Sequence, residues 1–155
     1  MKLWFLFVVC TILCWGAYVP TIHHGQLGFG GRNGALRAFL FVGVAYFLVS
    51  AAVLVYLLVT KAEPMQLTRL GVSLSTIAGV LGALGALGIV FAFKFGGRPI
   101  FVAPAVFAGA PVLNTIVSMI WDKPAKAPSP AFYVGIAMAA VGAALVLIYK
   151  PEPAH

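Results

Sequence analysis

The chain has 155 residues, of which 63% are hydrophobic and 8% charged, so a soluble domain of this size could not bury its apolar surface. Its net charge is +7, but the basic residues stand singly or in loose pairs between apolar runs, which excludes the continuous basic surface that binds nucleic acid. The composition predicts a protein whose solvent is the lipid bilayer.

Five apolar runs are each long enough to cross a hydrocarbon core about 30 Å thick as a helix. They extend approximately over Leu3 to Pro20, Ala38 to Thr60, Leu70 to Phe93, Ile100 to Trp121 and Ala131 to Tyr149, and none contains Asp, Glu, Lys or Arg. The sequence therefore predicts an all-α integral membrane protein, a single domain over residues 1–155 that forms a multi-pass bundle of about five transmembrane helices. We expect it in the cell (inner) membrane.

The first run has a second interpretation, because Lys2 followed by apolar residues also begins a secretory signal peptide. Trp15, Tyr18 and Pro20 occupy the stretch where a small-x-small cleavage site would lie. We therefore expect the segment to be retained as a membrane helix.

One face of this first helix carries groups that could contact a solute. Thr11, Cys14, Trp15 and Tyr18 follow i, i+3, i+4 and i+7 spacing and share one side of a helix. The face suits a ligand path, but Trp15 and Tyr18 equally suit an aromatic belt at the membrane boundary. Cys10 and Cys14 are expected to be ordinary small residues of the helix, since the chain has no further thiol.

The segment from Thr21 to Arg37 is predicted to be a long, polar, glycine-rich loop (residues 21–37), too polar to span and too long for a tight turn. His23 and His24 are adjacent, which points their side chains apart and argues against a shared metal. The glycines lack the βαβ context of a dinucleotide site. We expect neither a metal nor a cofactor.

The third and fifth runs carry strips of small residues that permit close approach of helix backbones in a membrane. These strips include Gly79, Gly82, Gly85 and Gly88 in the third run and Gly135 and Gly142 in the fifth. We predict helix–helix or subunit contacts there, with lipid-facing filler as the alternative.

The fourth run contains Pro104 and Pro111, each of which removes a backbone hydrogen bond and permits the helix to bend. Asn114 follows, with Thr115 and Ser118 after it. An Asn amide inside a membrane either bonds to another helix or lines a polar cavity, and both interpretations stay open.

No enzymatic signature is present in the sequence, and we predict that the chain is not an enzyme. All three acidic residues, Glu63, Asp122 and Glu152, fall outside the apolar runs, and no carboxylate pair or Ser-His-Asp spacing occurs.

The basic residues that set membrane orientation are evenly divided between the two sides. With five spans, the amino-terminal side holds Lys2, Lys61, Arg69, Lys123 and Lys126, and the other side holds Arg32, Arg37, Lys94, Arg98 and Lys150. The positive-inside rule therefore predicts almost no preference for one orientation, because the two sides do not differ in their number of basic residues. We expect weak orientation, which would suit an antiparallel homodimer.

The order of these features resembles one five-helix half of the EamA-type transporters, in the drug/metabolite transporter superfamily. The elements that carry the likeness are Trp15-Gly16-Ala17, Ala35 to Phe39 with its Arg37, the glycine-rich stretch Gly79 to Phe95 with Lys94, the prolines of Val102-Ala103-Pro104 and Ala110-Pro111, Asp122-Lys123-Pro124, and the glycines of Val134-Gly135-Ile136 and Val141-Gly142. The likeness covers most of the chain.

The resemblance implies movement of small solutes by alternating access, with the first four helices around the substrate. Most members of the family join two inverted halves, so this chain would need a second copy or a sister half-transporter. Small multidrug exporters of the superfamily use a carboxylate in the first helix, and none is present here. Arg37 and Lys94 would better suit neutral or anionic solutes.

These observations predict a transporter of a small polar metabolite that acts as an antiparallel dimer in the lipid bilayer. We predict that Trp15, Tyr18, Arg37 and Asn114 line the pathway: the two aromatic residues hold the solute, and Arg37 counters charge at an entrance. The alternative is a non-transporting scaffold or accessory subunit that binds another membrane protein through the small-residue strips.

Overall fold

The structure, a computed structural model, describes residues 3–61, 64, 66–122 and 124–149. The described part of the chain contains five α-helices: α1 (Leu3–Phe29), α2 (Gly34–Thr60), α3 (Arg69–Lys94), α4 (Pro99–Trp121) and α5 (Pro130–Ile148). Of the charges discussed above, Lys2, Glu63, Lys123, Lys150 and Glu152 lie outside the described residues.

The prediction of five long apolar helices is confirmed. Each is long and apolar enough to cross a membrane, as expected of an integral multi-pass protein. The helices contain 27, 27, 26, 23 and 19 residues in chain order. The last four begin and end within a few residues of the predicted runs, apart from the start of α2.

The prediction of a long loop over residues 21–37 is wrong. Helix α1 continues through Pro20 to Phe29, and α2 already begins at Gly34. Its polar residues are compatible with a helix because the buried face of α1 extends into them: Val19, Ile22 and Gln26 are all buried, at i, i+3 and i+7.

The true connection between α1 and α2 is only four residues long, from Gly30 to Asn33. Gly30 and Gly31 have φ angles of +56° and +66°, a left-handed conformation that glycine adopts without steric cost. Two glycines in this conformation turn the chain sharply enough to bring α2 back against α1.

The helices form two compact units, one holding α1, α2 and α3 (Met1–Gly96) and the other holding α4 and α5 (Gly97–His155). In the first unit every pair of helices is in contact. Its buried side chains gather at the end of α1, the start of α2 and the end of α3. They are Val19, Ile22, Gln26, Ala35, Ala38, Ala86, Ile89, Val90 and Phe93.

Away from this end, the three helices of the first unit expose large apolar side chains along their length, such as Trp4, Phe47 and Leu81. In water such a surface would be costly, whereas hydrocarbon or a partner helix accommodates it. The three helices of the first unit therefore pack closely at one end of the unit. Towards the opposite end, open grooves separate them.

Candidate functional site

The α1–α2 cleft is a groove of about 610 Å³ between the first two helices. Its walls include Cys14, Tyr18, Ile22 and Phe29 of α1 and Phe41 and Tyr46 of α2. The lining is mainly apolar, with a few polar groups among aliphatic and aromatic side chains, which is the usual character of a small-molecule site.

Tyr18 supplies the polar group that distinguishes this cleft. Its side chain is half-buried, and its hydroxyl oxygen is fully buried without a hydrogen-bond partner among the described residues. Leaving a buried hydroxyl unpaired costs about 1–3 kcal/mol. A solute that bonds to this hydroxyl would recover that free energy.

Trp15 and Tyr18 lie together as predicted from their spacing, with ring centroids 5.7 Å apart and ring planes inclined by 54°. Trp15 packs against the ring of Tyr18 and is not itself part of the cleft wall. Its contact with the cleft is therefore through Tyr18, whose orientation it helps to hold.

Arg37 lies in the first turn of α2 rather than in a loop, and its side chain is exposed. One guanidinium nitrogen donates to the carbonyl oxygen of Phe29, the last residue of α1, at 3.5 Å. A cation there interacts favourably with the negative end of the helix dipole. In the structure Arg37 thus braces the α1–α2 turn and does not line the cleft.

Asn114 belongs to the second unit, where it lines a hollow of about 260 Å³ with Thr115, Ser118, Asp122 and Phe132. The side chain of Asn114 is exposed. The neighbouring Thr115 hydroxyl donates to the carbonyl oxygen of Pro111 within α4. The pathway role of Asn114 stays a prediction.

The two prolines of α4 lie inside one continuous helix. Pro104 faces Ala139, Gly142 and Ala143 of α5 across a hollow of about 460 Å³. Gly142 therefore lies on the side of α5 that meets α4, whereas Gly135 does not line this hollow. An added Cβ at Gly135 or Gly142 would meet nothing within 4 Å, and the packing role of both glycines stays a prediction.

The glycines of α3 do not pack closely against the other described residues of the first unit. Gly79 and Gly82 line a hollow of about 380 Å³ that is bounded on the α2 side by Gly43 and Tyr46. An added Cβ at Gly79, Gly82, Gly85 or Gly88 would meet nothing within 4 Å. Close packing at these positions stays a prediction.

Sequence reasoning missed two residues that the structure brings to prominence, Gln26 and Gly34. Gln26 is only 8% exposed, and Gly34 lies so close to α1 that an added Cβ would come within 2.7 Å of the Gln26 carbonyl oxygen. The i, i+3, i+7 spacing of Val19, Ile22 and Gln26 was the signal that could have found the first.

His23 and His24 lie next to each other near the end of α1, with ring centroids 6.0 Å apart. The ring of His23 packs edge-on against Phe93 of α3, with centroids 4.8 Å apart. Among the described residues, no group of three or more His, Cys, Asp and Glu side chains is placed to hold a metal ion.

Comparison with known proteins gives no relative for this chain: no family model, no curated protein and no solved structure matches it.

Proposed function

We propose that this protein transports a small polar metabolite across a membrane and that Tyr18 binds the solute. The buried, unpartnered Tyr18 hydroxyl in the α1–α2 cleft carries the proposal. A solute that forms a hydrogen bond with this buried hydroxyl would gain about 1–3 kcal/mol of binding free energy, which is the cost of leaving the group unpaired. The apolar walls around it would hold the carbon skeleton of the solute.

The proposed transporter is an EamA-like half that works by alternating access as an antiparallel dimer. Two features support a second copy: the evenly divided basic residues and the small-residue strip of α3, whose glycines make no close contact within the first unit. In transporters built from inverted repeats, the solute binds between the repeats near the midplane. A second copy in the opposite orientation would cover the α1–α2 cleft.

In this proposal Trp15 orients Tyr18, Arg37 counters charge near one end of the cleft, and Asn114 lines the pathway. Pro104 and Pro111 permit α4 to bend, because each leaves one backbone carbonyl of the helix without its usual partner. Alternating access needs helices that can move in this way.

A solute screen on proteoliposomes containing only the purified full-length chain tests the proposal. We expect saturable, protein-dependent uptake of at least one small polar solute, with protein-free liposomes as the control. Absence of uptake across the panel, together with co-purification of a different membrane protein, would contradict transport and favour the scaffold alternative.

Antiparallel assembly is tested with two carboxy-terminal fusions of the chain. One fusion carries a reporter that is active only in the cytoplasm, and the other carries a reporter that is active only outside it. We expect both fusions to be active in a bacterial host, because five basic residues lie on each side. The variant Arg98→Gln should shift the ratio towards the external reporter, since the amino-terminal side then keeps the larger positive charge inside. One firm orientation would rule out the antiparallel homodimer.

A further inference from the structure

A further hollow, of about 350 Å³, lies at the end of the first unit where the three helices meet. Its lining includes His23 and Gln26 of α1, Arg32 of the turn, Ala35 of α2, and Phe93 and Lys94 of α3. It is separate from the α1–α2 cleft, with which it shares none of these residues. We call it the helix-end hollow.

Polar side chains around the helix-end hollow offer hydrogen-bond donors and positive charge. Gln26 is only 8% exposed, and its amide nitrogen Nε2 is buried without a hydrogen-bond partner among the described residues. Arg32 and Lys94 add two cationic groups with exposed side chains. No Asp or Glu lies among the described residues that line it.

The backbone at the start of α2 adds hydrogen-bond donors and partial positive charge to the helix-end hollow. Helix α2 begins at this hollow, with Gly34 and Ala35 in its wall. Its N-cap residue Asn33 makes no side-chain capping hydrogen bond. The Gly34 amide donates to the carbonyl oxygen of Gly31 at 3.3 Å, which leaves the amides of Ala35 and Leu36 as the donors of the first turn that can bond to a ligand. A helix amino terminus with unsatisfied amides attracts anions.

The position of the hollow along the helices places it at the membrane boundary. It lies at the last residues of α1 and α3 and the first of α2. A helix of 27 residues is about 40 Å long, longer than the hydrocarbon core of about 30 Å. The ends of these helices therefore reach the depth at which lipid phosphates and dissolved anions are both accessible.

We propose that the helix-end hollow binds a phosphate group, supplied by an anionic lipid headgroup or by a free phosphate compound. Two cations, a buried amide nitrogen and the amino-terminal amides of α2 form a set of donors and positive charges that matches the negatively charged oxygens of phosphate, which accept hydrogen bonds. This binding does not depend on the proposed transport, because it needs no solute in the α1–α2 cleft.

The test measures binding of radiolabelled inorganic phosphate to the purified full-length chain in neutral detergent. We expect saturable binding that Arg32→Gln and Lys94→Gln each weaken about tenfold, since each removes a charge-assisted contact. Arg69→Gln is the matched control, because Arg69 is an exposed basic residue at the opposite end of α3, and it should leave binding unchanged.

Gln26→Leu separates a binding role from a structural one. The substitution removes the amide but keeps a side chain of similar length, so we expect weaker phosphate binding without loss of thermal stability. All four positions are tested for phosphate binding alone, so a failure of transport in proteoliposomes has no bearing on the result.

Mixed micelles that contain phosphatidylglycerol distinguish the two sources of phosphate. Competition by this lipid against labelled phosphate, or its selective retention over phosphatidylcholine in native mass spectrometry, would assign the hollow to a lipid headgroup. Phosphate binding without either would assign it to a free phosphate compound. Binding of neither source, or wild-type binding by both Arg32→Gln and Lys94→Gln, would overturn the proposal.

Discussion

Gly34→Ala is expected to lower the free energy of unfolding by about 1–3 kcal/mol, the usual cost of forcing a methyl group into a filled space. A Cβ at this position would lie 2.7 Å from the carbonyl oxygen of Gln26 and 3.6 Å from the Cβ of Phe29. The first contact is with backbone, which cannot rotate out of the way as a side chain would. The turn between α1 and α2 must therefore open to admit the methyl group.

Gly43→Ala is the matched control, since Gly43 lies in the same helix and an added Cβ there meets nothing within 4 Å. We expect the free energy of unfolding of this variant to exceed that of the wild type by no more than about 1 kcal/mol, because alanine has less conformational entropy to lose in a helix than glycine. Denaturant unfolding in detergent, followed by circular dichroism, measures both. Equal stability of the two variants would show that α1 and α2 do not approach so closely at Gly34.

Tyr18→Phe is expected to slow solute uptake in proteoliposomes about tenfold, which corresponds to the loss of one hydrogen bond worth about 1.4 kcal/mol. The substitution removes the hydroxyl oxygen alone. Because this oxygen is buried and has no hydrogen-bond partner among the described residues, its removal should leave the free energy of unfolding unchanged or raise it. Slower uptake with unimpaired stability is the pattern that only a solute-binding role produces.

Tyr56→Phe provides the control for this experiment, because Tyr56 lies in α2, is 65% exposed and does not line the α1–α2 cleft. Uptake by this variant should equal that of the wild type. The measurement is the initial rate of uptake at several solute concentrations, for a solute identified in the screen.

Trp15→Ala extends the same test to the residue that packs against Tyr18. Loss of the indole frees the Tyr18 ring, so we expect uptake to fall, whereas Trp4→Ala, at an exposed position of the same helix, should have little effect. If Tyr18→Phe and Trp15→Ala both transport as the wild type does, the α1–α2 cleft is not the pathway.

The positions of the helices were largely predictable from hydropathy alone. Any run of about 20 apolar residues is stable in a bilayer as a helix, because the helix pairs all its backbone hydrogen-bonding groups internally. The hydropathy of each segment therefore predicts a membrane helix without knowledge of tertiary contacts. The error over residues 21–37 arose from treating His23, Gln26 and the glycines as loop-forming. Their helical conformation depends on packing against α2 and α3, which a hydropathy profile cannot register.

Some features of the candidate sites could be predicted from the sequence, and others depend on the tertiary structure. The proximity of Trp15 and Tyr18 followed from the helical repeat, because residues three apart share a face. The placement of Arg37 against Phe29 did not, since it depends on a sharp turn made by Gly30 and Gly31 in left-handed conformations. A composition rich in glycine indicates that a turn is possible but not which two residues make it.

The sequence by itself determined that this protein has five long apolar helices suited to a membrane, because length and hydrophobicity are properties of each segment alone. Only the tertiary structure decided that the first three helices converge at one end, leaving the Tyr18 hydroxyl unpaired in a cleft and Gln26 buried beside Arg32 and Lys94. Those features join residues from different helices, and their contacts depend on how the helices pack rather than on any one segment.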